Sequence, residues 1–175
     1  MKLTTRFLLA ALTGSMLLLS CTKEDTDESL NAADETFILH AALGNTAEIL
    51  AGTAASSKGE NMDVKSFAEM MVMDHTTAQT DLKTTGTNLG VNVPDSVDAN
   101  HVALMQTMNG LSGRAFDSAY MVNQVADHQA TVDAFQTELN SGSHVQVLNY
   151  ANKYLPKILM HLQKADSIAK AMKFK

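Results

Sequence analysis

Residues 63–89 read DVKSFAEMMVMDHTTAQTDLKTTGTNL. Phe67, Met71, Ala78 and Leu82 recur at steps of three and four, which places them on one face of a helix. His75 stands in the middle of that apolar stripe. Asp63 is the expected N-cap, and Gly90 the residue just past the end. Strand-like alternation of β-branched residues is rare here and in the rest of the chain.

Working outward from this segment, the whole chain beyond residue 30 carries the same periodicity, and proline occurs only twice. A first long helix is expected over about residues 33–55, with Phe37, Ala41, Gly44, Glu48 and Ala51 on one face. After the central helix comes a connection of about twenty residues, with Pro94 and a short helix over about 96–109. The third long helix is expected over 113–140, capped by Ser112. Its stripe of Phe116, Met121, Val125, Val132, Phe135 and Leu139 contains His128. Ser143 to Gln146 reads as a capping box opening the fourth, with Leu148, Ala151, Leu155, Ile158, Leu162, Ala165 and Met172 apolar and Pro156 expected to kink or break it. Short loops within each pair and a long link between pairs predict an all-α fold: a ferritin-like four-helix bundle with a short extra helix in the helix 2–3 connection.

The start of the chain reads differently. Lys2 and Arg6 precede FLLAALTGSMLLL at residues 7–19, a run too short for a bilayer-spanning helix, which needs about 20 residues. It fits a secretory signal. Leu18-Leu19-Ser20-Cys21 resembles a lipobox, although Leu19 replaces the small residue more usual there. Residues 1–20 are therefore expected to be a lipoprotein signal peptide. Cys21, the only cysteine, is the expected lipidation site, since several acyl chains anchor stably where one is marginal. Residues 21–32 are expected to form the lipidated cysteine and a flexible tether, because TKEDTDES at 22–29 has no apolar residue to bury. Lys23-Glu24-Asp25 is equally a solvated linker or an acidic surface-export signal. The domain then occupies 33–175. Expected localisation is the cell envelope, lipid-anchored to the outer membrane and facing periplasm or surface. The membrane is met through the lipid only; the protein partner is unknown. A net charge of −6 argues against nucleic acid.

Four residues are candidate metal ligands: Glu48, His75, His128 and His161, one per long helix. At about 1.5 Å per residue, they stand roughly 11, 18, 23 and 16 Å from one end of a ferritin-like bundle. Imidazoles with a carboxylate suit zinc, copper or iron. Asp74 and Asp127 lie roughly 100° round the helix from their neighbouring histidines, and are expected in supporting roles towards neighbouring helices. Met71 and Met121 would suit Cu(I), but methionine is also core filler. A histidine on an apolar stripe also serves as a core residue bonded to a buried carbonyl or carboxylate. His40, His101 and His144 read as peripheral and solvated. A di-iron carboxylate site would need glutamate three positions before its histidines; Val72, Val125 and Ile158 stand there. No nucleophile, phosphate-loop or dinucleotide motif occurs, so no catalytic residue is assigned.

FAEMMVMDH at 67–75, FDSAY at 116–120, QVADH at 124–128, Leu155-Pro156 and His161-Leu162 together resemble the family called domain of unknown function 4142. The resemblance spans about residues 33–170. It implies a ferritin-like bundle in a bacterial envelope protein and no activity. The family's recurrent positions fall on Glu48, Asp74, His75, Phe116, Asp117, Tyr120, His128, Pro156 and His161. Sequence alone places a non-catalytic interaction or stress-related role slightly ahead of a metal-binding bundle. An enzyme ranks third, because it would need an open cleft at the histidines.

Overall fold

A computed structural model describes residues 29–174. The expected signal peptide, Cys21 and the tether to residue 28 lie outside the described residues. Among the described residues there are five helices and no strand: α1 (Ala32–Lys58), α2 (Met62–Leu89), α3 (Ala99–Asn109), α4 (Gly113–Ser141) and α5 (Val145–Ala171).

The helix ends follow local chemistry, and several differ from expectation. Asn31 caps α1, in a capping box with Asp34, and Leu30 packs on the core. Leu30 and Asn31 are thus held against α1 and the core. Asn61, not Asp63, caps α2: its Oδ1 accepts from the amides of Asp63 at 2.8 Å and Val64 at 3.3 Å. Asp63 sits in the first turn, where its charge complements the helix dipole. Gly90 closes α2 at φ 68°, a left-handed conformation that glycine enters without steric cost. The short helix starts at Ala99 behind an Asp98 cap, not at residue 96. His144, not Ser143, caps α5, its Nδ1 accepting from the Gln146 amide. His144 is thus buried and structural rather than solvated. The helix runs unbroken through Pro156.

Hydrogen bonds between helix ends establish the topology. The Asn31 side chain donates to the Ser141 carbonyl, so α1 starts where α4 ends. Asp117, near the start of α4, accepts from the amides of Glu60 and Asn61 in the α1–α2 loop. The link from α2 to α4 must therefore run from one end of the molecule to the other, and α3 lies on that link. α1 packs on α2 and α4, and α5 packs on α4 and α2.

The two hairpins, α1–α2 and α4–α5, repeat one another at a spacing of 83 residues. Asp34 matches Asp117, Gly59 matches Gly142, and the caps Asn61 and His144 match. Each aspartate clasps the other hairpin's loop. Asp34 accepts from the amides of Ser143 and His144, and Asp117 from those of Glu60 and Asn61. Both carboxylates are buried. The repeat is one of position and role more than of residue identity.

Glu138 lies beside the Asp34 clasp, fully buried. A Cβ on Gly142 would fall 2.8 Å from the Glu138 carbonyl oxygen and 2.1 Å from its Oε1, so a larger residue there would force a shift. Burial first, and then Asp34, raise the Glu138 carboxyl to about 7. Its folded value thus exceeds that of the unfolded chain, about 4.3. The stability it contributes is complete below that lower value and is lost as pH rises through about 7. Glu138→Gln should match wild type near pH 4.5 and exceed it at pH 8, by on the order of 1–2 kcal/mol after allowance for solvent screening. Urea unfolding at both pH values checks this; an equal difference at the two would contradict it.

The apolar core falls into two clusters. Phe37, Ile38, Leu82, Phe135 and Tyr150 belong to one, and Phe67, Met71, Phe116, Tyr120 and Met121 to the other. Between them lies a buried polar layer containing Asn45, Glu48, Asp74, His75, Gln124, His128 and His161. Polar groups cost free energy to bury unless they are hydrogen-bonded, so their partners decide what this layer is for.

Candidate metal centre

His75 on α2, His128 on α4 and His161 on α5 are buried together, with ring centroids 5.4–5.8 Å apart. One ring nitrogen from each lies within 4.8 Å of the other two. Each ring is oriented through its other nitrogen. His75 Nδ1 is 2.9 Å from Asn45 Oδ1. His128 Nδ1 is 3.0 Å from the Gln124 carbonyl one turn earlier. His161 Nε2 is 3.0 Å from Asp74 Oδ2. Oxygen acceptors require N–H on all three of those nitrogens.

That requirement leaves lone pairs on His75 Nε2, His128 Nε2 and His161 Nδ1. These three buried nitrogens have no partner. Burial holds the imidazoles neutral: His75 is pushed well below its ordinary value, and His128 and His161 fall to about 4. A buried acceptor without a donor costs about 1–3 kcal/mol. Three such acceptors in one place suit a cation that accepts lone pairs.

Supporting groups fix the rings. The Asn45 amide donates to Gln79 Oε1 and to the Tyr150 hydroxyl, which turns its oxygen towards His75. Gln79 in turn donates to the Pro94 carbonyl and to Asp95, tying the α2–α3 link to the layer. Asp74 bonds Lys157 through Oδ1 at 2.5 Å and His161 through Oδ2. This aspartate on α2 thus orients a histidine on α5.

Two candidates stand apart from the nitrogen cluster. Glu48 Oε1 lies 3.8 Å from His128 Nδ1, the nitrogen already turned to the Gln124 carbonyl, and Oε2 accepts from Gln124 Nε2 at 2.7 Å. Burial raises its carboxyl to about 7. Asp127 bonds Asn123 and faces His101, 3.8 Å away, rather than any of the three clustered rings. His101 is half-buried and bonded to Asp98. It lines a cavity of about 70 Å3 that also reaches Glu48, His75 and His128. His40 is exposed and lines the same cavity.

A family model described as a domain of unknown function, DUF4142, matches residues 19–168. The chain belongs to the DUF4142 family. No curated protein matches. The crystal structure of a DUF305 fragment from Deinococcus radiodurans is similar in fold to this DUF4142 chain, with a TM-score of 0.68 at 11% identity. The match covers 82% of this chain and 99% of that one. Asn45, Gln79 and Gln124 escaped the sequence reading of this DUF4142 domain. Asn45 falls 83 residues before His128, so the internal repeat was the signal that could have exposed it.

Proposed function

We propose that this DUF4142 domain is a ferritin-like four-helix bundle that holds one transition-metal ion through His75, His128 and His161. The carrying observation is the set of three unpartnered, converging imidazole nitrogens. Three points within 4.8 Å of one another fit a circle of radius about 2.8 Å. An imidazole–zinc bond is about 2.0–2.1 Å, so each ring has to move in by under about 1 Å. Three imidazoles leave a fourth position open, which in zinc sites is the pattern of ion plus exchangeable ligand. The donors suit zinc, copper(II), nickel or iron(II). Met71 and Met121 support the apolar cluster, and the Cu(I) reading gains nothing from them. Asp74 serves as the carboxylate behind a ligating histidine.

In this reading residues 1–20 are a lipoprotein signal peptide, and Cys21, the acylated residue that follows it, tethers the domain to the outer membrane on its periplasmic or outer side. The support is the basic start, the apolar run and the single cysteine behind them. The role is binding rather than catalysis, with a protein partner unassigned.

One experiment addresses both halves. The full chain, Cys21→Ser and His75→Ala/His128→Ala are expressed in a bacterial host with a lipoprotein pathway, and membrane fraction and bound metal are measured. The full chain should sit in membranes with close to one metal per protein. The cysteine variant should leave the membrane with metal retained, and the double-histidine variant should stay there with metal lost. Metal-free protein after growth in supplemented medium, with no metal-dependent rise in melting temperature, sinks the metal reading. An unaltered distribution of Cys21→Ser sinks the anchor.

A further inference from the structure

The cavity between α1 and α4 has no role in fixing the rings. His75 and His128 lie in its wall beside Asn45 and Glu48, and Gly44 and Ala130 line it from the two helices. Gly44 sits on the α1 face that buries Ala41 and Glu48, yet a Cβ there would meet nothing within 4 Å. A glycine inside a helix costs about 1 kcal/mol relative to alanine, and no close approach or positive φ requires one here. The missing side chain keeps space open. Across the cavity, Ala130 is small and solvent-exposed.

We propose that this cavity is a ligand channel, through which a molecule of water to azide size reaches the fourth coordination position of the metal. The proposal rests on the three-histidine reading above. Two of the three proposed ligands, His75 and His128, border the cavity. Its volume of about 70 Å3 exceeds the roughly 10–15 Å3 that a single water needs. That admits water, dioxygen, peroxide or a small linear anion. His101 lines the cavity from α3, bonded to Asp98 and facing Asp127. Glu48 in the wall adds an oxygen acceptor within the same space. The site then presents a metal with an open position, unlike a storage site closed by four protein ligands.

The test loads the full chain in detergent with Co(II) and titrates azide, following the visible d–d absorption. Wild type should change its spectrum with azide. Gly44→Leu and Ala130→Phe, which fill the channel from opposite walls, should each bind one Co(II) and weaken azide at least tenfold. Failure of wild type to bind Co(II) at the histidines overturns the metal reading and the channel with it. Co(II) bound with no azide response overturns the channel alone, because the fourth position is then closed. Azide binding that is unchanged in whichever variant folds also overturns it.

Discussion

Asp117→Ala should lower the melting temperature by roughly 5–15 °C, through a loss of about 2–5 kcal/mol. The Asp117 carboxylate is buried and accepts from the Glu60 amide at 3.1 Å and the Asn61 amide at 2.8 Å. Asn61 is itself the cap of α2. Removing the carboxylate strands two backbone donors and loosens the residue that caps the next helix. A buried donor without an acceptor costs about 1–3 kcal/mol, and a lost cap adds about 1. Asp117→Asn keeps one acceptor oxygen and should recover part of the loss. Asp63→Ala is the matched control: its side chain is exposed in the first turn, where a helix-dipole contribution is at most about 1 kcal/mol. Thermal unfolding of the three variants decides the matter. A larger loss for Asp63→Ala than for Asp117→Ala would return the cap to Asp63.

The same contrast shows which parts of the molecule the chain discloses locally. Four long helices and a short one were legible, because Phe67, Met71, Ala78 and Leu82 recur at helical spacing whatever they pack against. Cap identity was less so. Asp63 and Asn61 are both good caps by residue type, and the choice depends on how the Asp117 carboxylate holds the loop from 57 residues away in the chain. His144 was read as solvated because its burial comes from Asp34, on another helix, bonding its amide.

At the site the histidines were legible and their setting was not. One inward histidine on each of three helices can be read from periodicity. Asp74 and Asp127 each precede a histidine and share one expected supporting role, yet that likeness pairs α2 with α4, whereas the structural repeat pairs α1 with α4 and α2 with α5. Asp74 faces Lys157 and His161, and Asp127 faces Asn123 and His101. Similar tetrapeptides on inequivalent helices thus meet different neighbours. Gln79 and Gln124 gave no signal of their role, and Asn45 only its place 83 residues before His128; the orientations of all three amides follow from the acceptors and donors around them.

Asp74 is where stability and metal binding meet, and its replacement should affect both. Its two oxygens are committed, one to Lys157 at 2.5 Å and one to His161 Nε2 at 3.0 Å. Asp74→Ala leaves the His161 N–H without an acceptor in a buried position, at a cost of about 2–3 kcal/mol to the metal-free protein for a hydrogen bond to a charged group. The ring is then free to turn, and nothing keeps the proton on Nε2. If the proton moves to Nδ1, the lone pair faces away from His75 and His128, and the site offers two nitrogens instead of three. Loss of a carboxylate behind a ligating histidine commonly weakens metal binding 10–100-fold. Asp74→Asn should separate the effects. Its amide oxygen still accepts from Nε2, so the tautomer and most of the affinity should survive, while the ion pair with Lys157 is lost. Lys157→Met removes that pair from the other side; Lys157 is half exposed, so the stability cost should stay under about 1 kcal/mol. Metal titration followed by calorimetry, beside urea unfolding of the metal-free proteins, measures both quantities. If Asp74→Ala binds metal like wild type, His161 is a core histidine and not a ligand. If Asp74→Asn loses affinity as fully as Asp74→Ala, the negative charge of Asp74 rather than its hold on the ring sustains the site.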